Sequence, residues 1–258
     1  MDVLPWRAAG EGSTVLLIHG SGPDASWWEP VRAALERDHH VIVYDRRGFG
    51  SAAAPVSNWE VHAADALSIL NEAGSGPATL VGHSAGCVVA ATVAVRRRAA
   101  VDRLVLLDPA LYLRRHLTPG FAAAYVRTAL VRRTRGDEAG AATFLRWAFR
   151  YRNGGSAWDR PDYPPTRRRA MLANAPGIFA DMAAGDRPHL PLRELTTLSI
   201  PVKILLGERS QRLYRRVAEG LATRLATAEL SVLSGSAHDM TFDQPAELGA
   251  SLARLLGD

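Results

Sequence analysis

The sequence predicts an α/β fold: a doubly wound, mostly parallel sheet with a helical insertion between two of its strands. Two observations carry this. Short apolar runs, each closed by glycine, aspartate or proline, recur along the 258 residues, and strands covered by helices on both faces read as continuous apolar runs of this kind. Between the early runs lie stretches with apolar residues at helical spacing, the alternation that a parallel sheet requires.

In chain order the first strand run is "TVLLIHG", followed by the helical stretch "WWEPVRAALERD" and the strand run "HVIVYDRRG". The helix pattern of "WEVHAADALSILNEAG" leads into the strand runs "ATLVGHS" and "VDRLVLLDP". The alternation then lapses. From about Leu111 to Leu195 no strand pattern stands out, and three helical pieces follow, "GFAAAYVRTALVRR", "EAGAATFLRWAFRYR" and "RRRAMLANAPGIFADM", the last two joined by the loop "NGGSAWDRPDYPP". Strand runs resume with "PVKILLG" and "AELSVLSG", and "FDQPAELGASLARLL" reads as the final helix. We therefore expect a core of residues 1–110 and 196–258 interrupted by a helical lid, 111–195, over the edge where the strands end.

Composition narrows the function. The formal charge of +5 comes almost wholly from arginine, Lys203 being the only lysine. The arginines are scattered in pairs and triplets, and no nucleic-acid-binding pattern accompanies them, so a solvated basic surface is expected and no nucleic-acid partner. The single cysteine, Cys87, allows no intrachain disulfide, which suits a reducing compartment. The opening residues have neither the basic nor the apolar part of a signal peptide, and no stretch approaches a membrane-spanning length. A soluble, cytoplasmic protein without a membrane partner is expected; the sequence leaves its oligomeric state open.

The chemistry concentrates at "GHSAG", Gly82 to Gly86. A strand that enters a helix without a loop forces the residue at the bend into strain, and glycines two before and two after leave room for the backbone to pass. Ser84 would then stand above the sheet, with the Ala85 amide and the following helix N-terminus ready to stabilise an oxyanion. A serine hydroxyl needs a base. His238, in "SGSAHDM" just beyond the last strand run, is placed to supply it.

With these pieces the chain resembles the α/β-hydrolase superfamily from about Thr14 to its C-terminus: "LLIHGSGPDASWW" is similar to that family's His-Gly oxyanion loop, "YDRRGFGS" to its Asp-x-Arg-Gly-x-Gly turn, and "GHSAG" and the terminal histidine to its nucleophile and base motifs. The resemblance implies Ser84 as nucleophile, His238 as base, the backbone amides of Ser21 and Ala85 as oxyanion hole, and neither metal nor cofactor. Asp45, Arg47, Gly48 and Gly50 match an architectural turn. His19 and His83 read as loop-shaping residues, and Cys87 as a small buried hydrophobe.

Two departures from the family pattern stand out. Only one short strand fits before "TVLLIHG" where most members have more, so the sheet should be trimmed at its first edge. The usual acid position, three residues after the glycine that ends the strand following the lid, is Ser210 in "GERS". Some relatives, the haloalkane dehalogenase-like ones among them, take the acid from the end of the preceding strand. That position is Asp108, which we favour; Glu208 is the alternative. Without a carboxylate the imidazole can take the wrong tautomer.

The lid carries many aromatic residues, so a mainly apolar pocket for a small molecule is expected. Trp27, Trp28, Trp147 and Trp158 are the candidate lining residues. An esterase-like serine hydrolase is the leading reading. Hydrolysis of a C–C bond, elimination or cyclisation could use the same groups, and a ligand-binding relative without turnover is the contrasting class. A serine nucleophile argues against epoxide-hydrolase and dehalogenase chemistry.

Overall fold

Successive residues of the central strands face opposite sides of the sheet, and here they divide between two hydrophobic cores. Leu16, Ile18, Ile42, Leu80, Leu104 and Ile204 enter one core, while Val15, Leu17, Val41, Val81, Val105 and Leu205 enter the other. The computed structural model describes residues 4–52, 55–56, 58–111, 118–185 and 192–257. Two parts of the expected insertion, 112–117 and 186–191, lie outside the described residues.

The first half of the core runs β1 (Trp6–Ala9), β2 (Ser13–Ile18), α1 (Glu29–Leu35), β3 (His39–Tyr44), α2 (Trp59–Glu72), β4 (Ala78–His83), α3 (Gly86–Arg96) and β5 (Val101–Leu107). Helices α4 (Pro119–Arg135), α5 (Asp137–Ala148), α6 (Pro165–Ala173), α7 (Ala175–Gly185) and α8 (Leu192–Leu195) follow. The chain ends with β6 (Val202–Gly207), α9 (Arg212–Ala222), β7 (Ala228–Leu233), α10 (Met240–Asp243) and α11 (Pro245–Gly257). The seven strands lie in the order β1-β3-β2-β4-β5-β6-β7, parallel except for β1, which runs antiparallel to β3. This is the trimmed, mostly parallel sheet expected, with one short strand before β2 and the helices α4 to α7 inserted between β5 and β6. Residues from α2, α3 and α9 fill one core; α1, α11 and the insertion supply the other. No helix among the described residues is long and apolar enough to cross a membrane.

Three local differences from the sequence expectation have physical causes. The third helical piece of the insertion is two helices, broken at Asn174. The Asn174 side chain donates to the Gly22 carbonyl at 2.8 Å and accepts from the Gly50 amide at 2.9 Å, and Pro176, with no N–H, lies in the first turn of α7. The second piece stops at Ala148, since Gly154 and Gly155 take φ of +102° and +73° and fold the chain back. Strand β7 has one hydrogen-bonded neighbour, and its Val232 is 51% exposed; an apolar run does not tell an edge strand from a central one.

Candidate active site

Ser84 sits between β4 and α3 with φ of +53°, in the left-handed region. Its amide donates to the Leu107 carbonyl at 2.9 Å, and its own carbonyl accepts from the amides of Cys87 at 3.0 Å and Ala110 at 3.2 Å. The flanking glycines are sterically required: a Cβ on Gly82 would meet the Gly86 carbonyl oxygen at 2.6 Å, and one on Gly86 would meet that of Ile18 at 2.2 Å. Asp108, at the end of the adjoining β5, has φ of +41°. Among the described residues these are the two non-glycine positions with positive φ. Such backbone costs about 1–3 kcal/mol per residue and persists where its surroundings enforce it. At Asp108 they do: its amide donates to Leu205 at 3.0 Å, and its Oδ1 accepts from the Gly207 amide at 2.9 Å.

The three side chains expected to work together meet. His238 Nε2 lies 2.9 Å from Ser84 Oγ, and His238 Nδ1 lies 3.1 Å from Asp108 Oδ2. A carboxylate only accepts, so the imidazole proton belongs on Nδ1 and the Nε2 lone pair faces the serine hydroxyl. Tyr214 stacks on the His238 ring, with centroids 3.8 Å apart and planes 7° apart. The His238 carbonyl accepts from His83 Nε2 at 2.8 Å, and His83 stacks on Trp27 at 4.1 Å. All three side chains are nearly inaccessible, Asp108 at 0%, His238 at 2% and Ser84 at 9%.

Glu208 is turned elsewhere: its Oε2 accepts from the Gly235 amide at 2.7 Å and the Ser234 hydroxyl at 3.2 Å. Ala85 occupies the N-cap of α3. Ser21, in the loop after β2, donates its hydroxyl to Asp181 at 2.5 Å, and a Cβ on the preceding Gly20 would lie 2.9 Å from Ser84 Cβ. Of the candidate pocket residues, Trp27 lies against His83 and donates its indole N–H to Asp239 at 2.9 Å. Trp28 is fully buried edge-on to Trp27, and Trp158 is buried against Tyr163. Trp147 belongs to an aromatic cluster of the insertion with Phe121, Tyr125 and Phe144.

The contacts of two residues around the site escaped sequence reasoning. Ser210, at the usual acid position, donates its hydroxyl to Asp108 Oδ2; its place in the motif was the available signal. Asp239, beside His238, accepts from Trp27, from Tyr163 at 2.8 Å and from Arg167 at 2.6 Å, tying the insertion to the histidine loop. Nothing local distinguishes it from a solvated aspartate.

Three other buried histidines are held neutral. Burial first, then Arg46, lowers His19 well below its ordinary value of 6.5; burial first, then His238, does the same to His83; and burial first, then Arg46, lowers His62 to about 4. Because the folded values are depressed, the unfolded chain binds more protons between them and 6.5. Stability is therefore full well above 6.5 and is lost as pH falls through 6.5 towards the depressed folded values. The unfolding free energy is expected to be lower at pH 5.5 than at pH 8. Urea melts at the two pH values check this, and equal midpoints would contradict it.

Known proteins share this architecture. The sequence profile described as "Alpha/beta hydrolase family" matches residues 15–250. An uncharacterised Mycobacterium bovis protein is 37% identical over 108 residues, which is 40% of this chain and 31% of that protein. An (E)-2-((N-methylformamido)methylene)succinate hydrolase of Acinetobacter baylyi is 33% identical over 112 residues, 42% of this chain and 41% of that protein. The matched segment thus spans less than half the length of these relatives. Among solved structures, a thermophilic esterase from Thermogutta terrifontis superposes with a TM-score of 0.82 at 26% identity, covering 98% of this chain and 92% of that one.

Proposed function

Because the chain belongs to the α/β hydrolase family, we propose that it is a serine hydrolase cleaving a small, mainly apolar ester or related carbonyl substrate through an acyl-enzyme on Ser84. The observation that carries this is the unbroken chain of contacts from Ser84 Oγ through His238 to Asp108. Ser84 attacks the carbonyl carbon while His238 Nε2 takes its proton, Asp108 holds the imidazolium that forms, and the Ser21 and Ala85 amides receive the oxyanion. The proton then passes to the leaving oxygen, and water, deprotonated by the same histidine, releases the acyl group. Similarity to the Thermogutta terrifontis esterase supports an ester substrate. The aromatic residues of the insertion, with Phe149 at 6.0 Å from the His238 ring, support an apolar one.

Labelling with a fluorophosphonate, followed by mapping of the modified peptide, tests the reading. The expected adduct is on Ser84, stoichiometric in wild-type protein. Folded protein that takes no label would favour the ligand-binding class instead.

A further inference from the structure

Arg46 occupies the first variable position of the Asp45-to-Gly50 turn, and arginine is a residue seldom fully buried. Arg46 is nonetheless 0% exposed. Its Nε donates to the His19 carbonyl at 3.1 Å and its Nη2 to the Gly20 carbonyl at 3.1 Å, while Nη1 and Nη2 hold the two Asp181 oxygens at 3.1 and 2.7 Å. The Arg46 amide donates to His19 Nε2 at 3.0 Å, which leaves the imidazole proton on Nδ1, and Nδ1 donates to the Gly20 carbonyl at 2.8 Å. Burial opposes charge on Asp181, yet the adjoining guanidinium outweighs it and holds that carboxyl below its usual range.

The Gly20 oxygen is therefore held by two donors, and this fixes more than an oxygen. The Gly20 carbonyl and the Ser21 N–H belong to one planar trans peptide, in which the two groups point in opposite directions. Pinning the oxygen sets the direction of the N–H. On the other side of that peptide the Ser21 hydroxyl is tied to Asp181, which comes from α7 of the insertion.

We infer that Arg46 and Asp181 are positioning residues that aim the Ser21 amide at the oxyanion formed on Ser84, so that the seat of the insertion and the alignment of that donor are set by one ion pair. The inference rests on the serine-hydrolase reading. A purely structural pair predicts something else: buried ion pairs add little to stability over apolar replacements, and loosening one would disturb ground-state and oxyanion binding alike. An oxyanion donor, by contrast, acts on turnover, about 10²–10³-fold for a lost one.

Arg46→Lys separates the two. Lysine keeps a charge beside Asp181 but lacks the planar fork that reaches both carbonyls. The probes are a trifluoromethyl ketone, to whose carbonyl carbon Ser84 Oγ adds as its proton passes to His238 and the carbonyl oxygen becomes an oxyanion, and the matching methyl ketone, which binds without adding. In Arg46→Lys the trifluoromethyl ketone is expected to bind about 10²-fold more weakly, with methyl ketone affinity and KM within about threefold of wild type and kcat reduced in parallel. Ser21→Ala keeps the amide but loses the tie to Asp181. It is expected to give about a tenfold loss in the same ratio, and it decides the matter if Arg46→Lys does not fold. Equal loss of both affinities, or of neither, in a folded variant overturns the inference. If wild-type protein forms no adduct with the trifluoromethyl ketone, the hydrolase reading falls and the inference with it; a wild-type adduct with unaltered variants overturns the inference alone.

Discussion

Asp108→Asn is expected to lower turnover of an activated ester by at least about 10²-fold and by up to about 10⁴-fold, with the fold retained. The carboxylate accepts from His238 Nδ1, the Gly207 amide and the Ser210 hydroxyl. An amide in its place offers the imidazole an N–H, favours the tautomer with its proton on Nε2, and so removes the acceptor that Ser84 needs. Glu208→Gln should leave turnover within about twofold, since its carboxylate serves the turn at Ser234 and Gly235. Because the Ser210 hydroxyl already lies against Asp108 Oδ2, Asp108→Asn combined with Ser210→Asp should recover part of the loss. Rates of p-nitrophenyl ester cleavage by the three variants check these outcomes; wild-type activity in Asp108→Asn would remove that residue from the mechanism.

Much of this arrangement is legible in the sequence because local physics determines it. Continuous apolar runs mark strands covered on both faces, and β2 to β6 lie where those runs stand. The glycine spacing around Ser84 reports a steric demand at the elbow. The vacancy at Ser210 directs attention to Asp108, and the contacts to His238 lie on that residue rather than on Glu208. What stayed hidden depends on partners far apart in the chain. Arg46 and Asp181 are 135 residues apart, and Asp239 meets Trp27 from 212 residues away. In isolation each reads as an ordinary surface charge. The break at Asn174 is of the same kind, since its side-chain partners, Gly22 and Gly50, lie in loops of the core. The candidate lining tryptophans are chosen by their place in the chain, which does not say how a ring packs; Trp28 and Trp158 are buried.

The largest effect is expected from Ser84→Ala, which should reduce ester turnover by about 10⁶-fold or to the background rate. The hydroxyl contributes little to the core, so thermal unfolding should change little, and the variant serves as the blank for direct detection of the acyl-enzyme. Wild-type protein is mixed with p-nitrophenyl butyrate, quenched in acid within milliseconds, and weighed intact. A transient species heavier by one butyryl group is expected, mapped by peptide analysis to Ser84 and absent from Ser84→Ala. Ester cleavage by wild-type protein with no acyl adduct at any time, or with the adduct on another residue, would contradict an acyl-enzyme on Ser84.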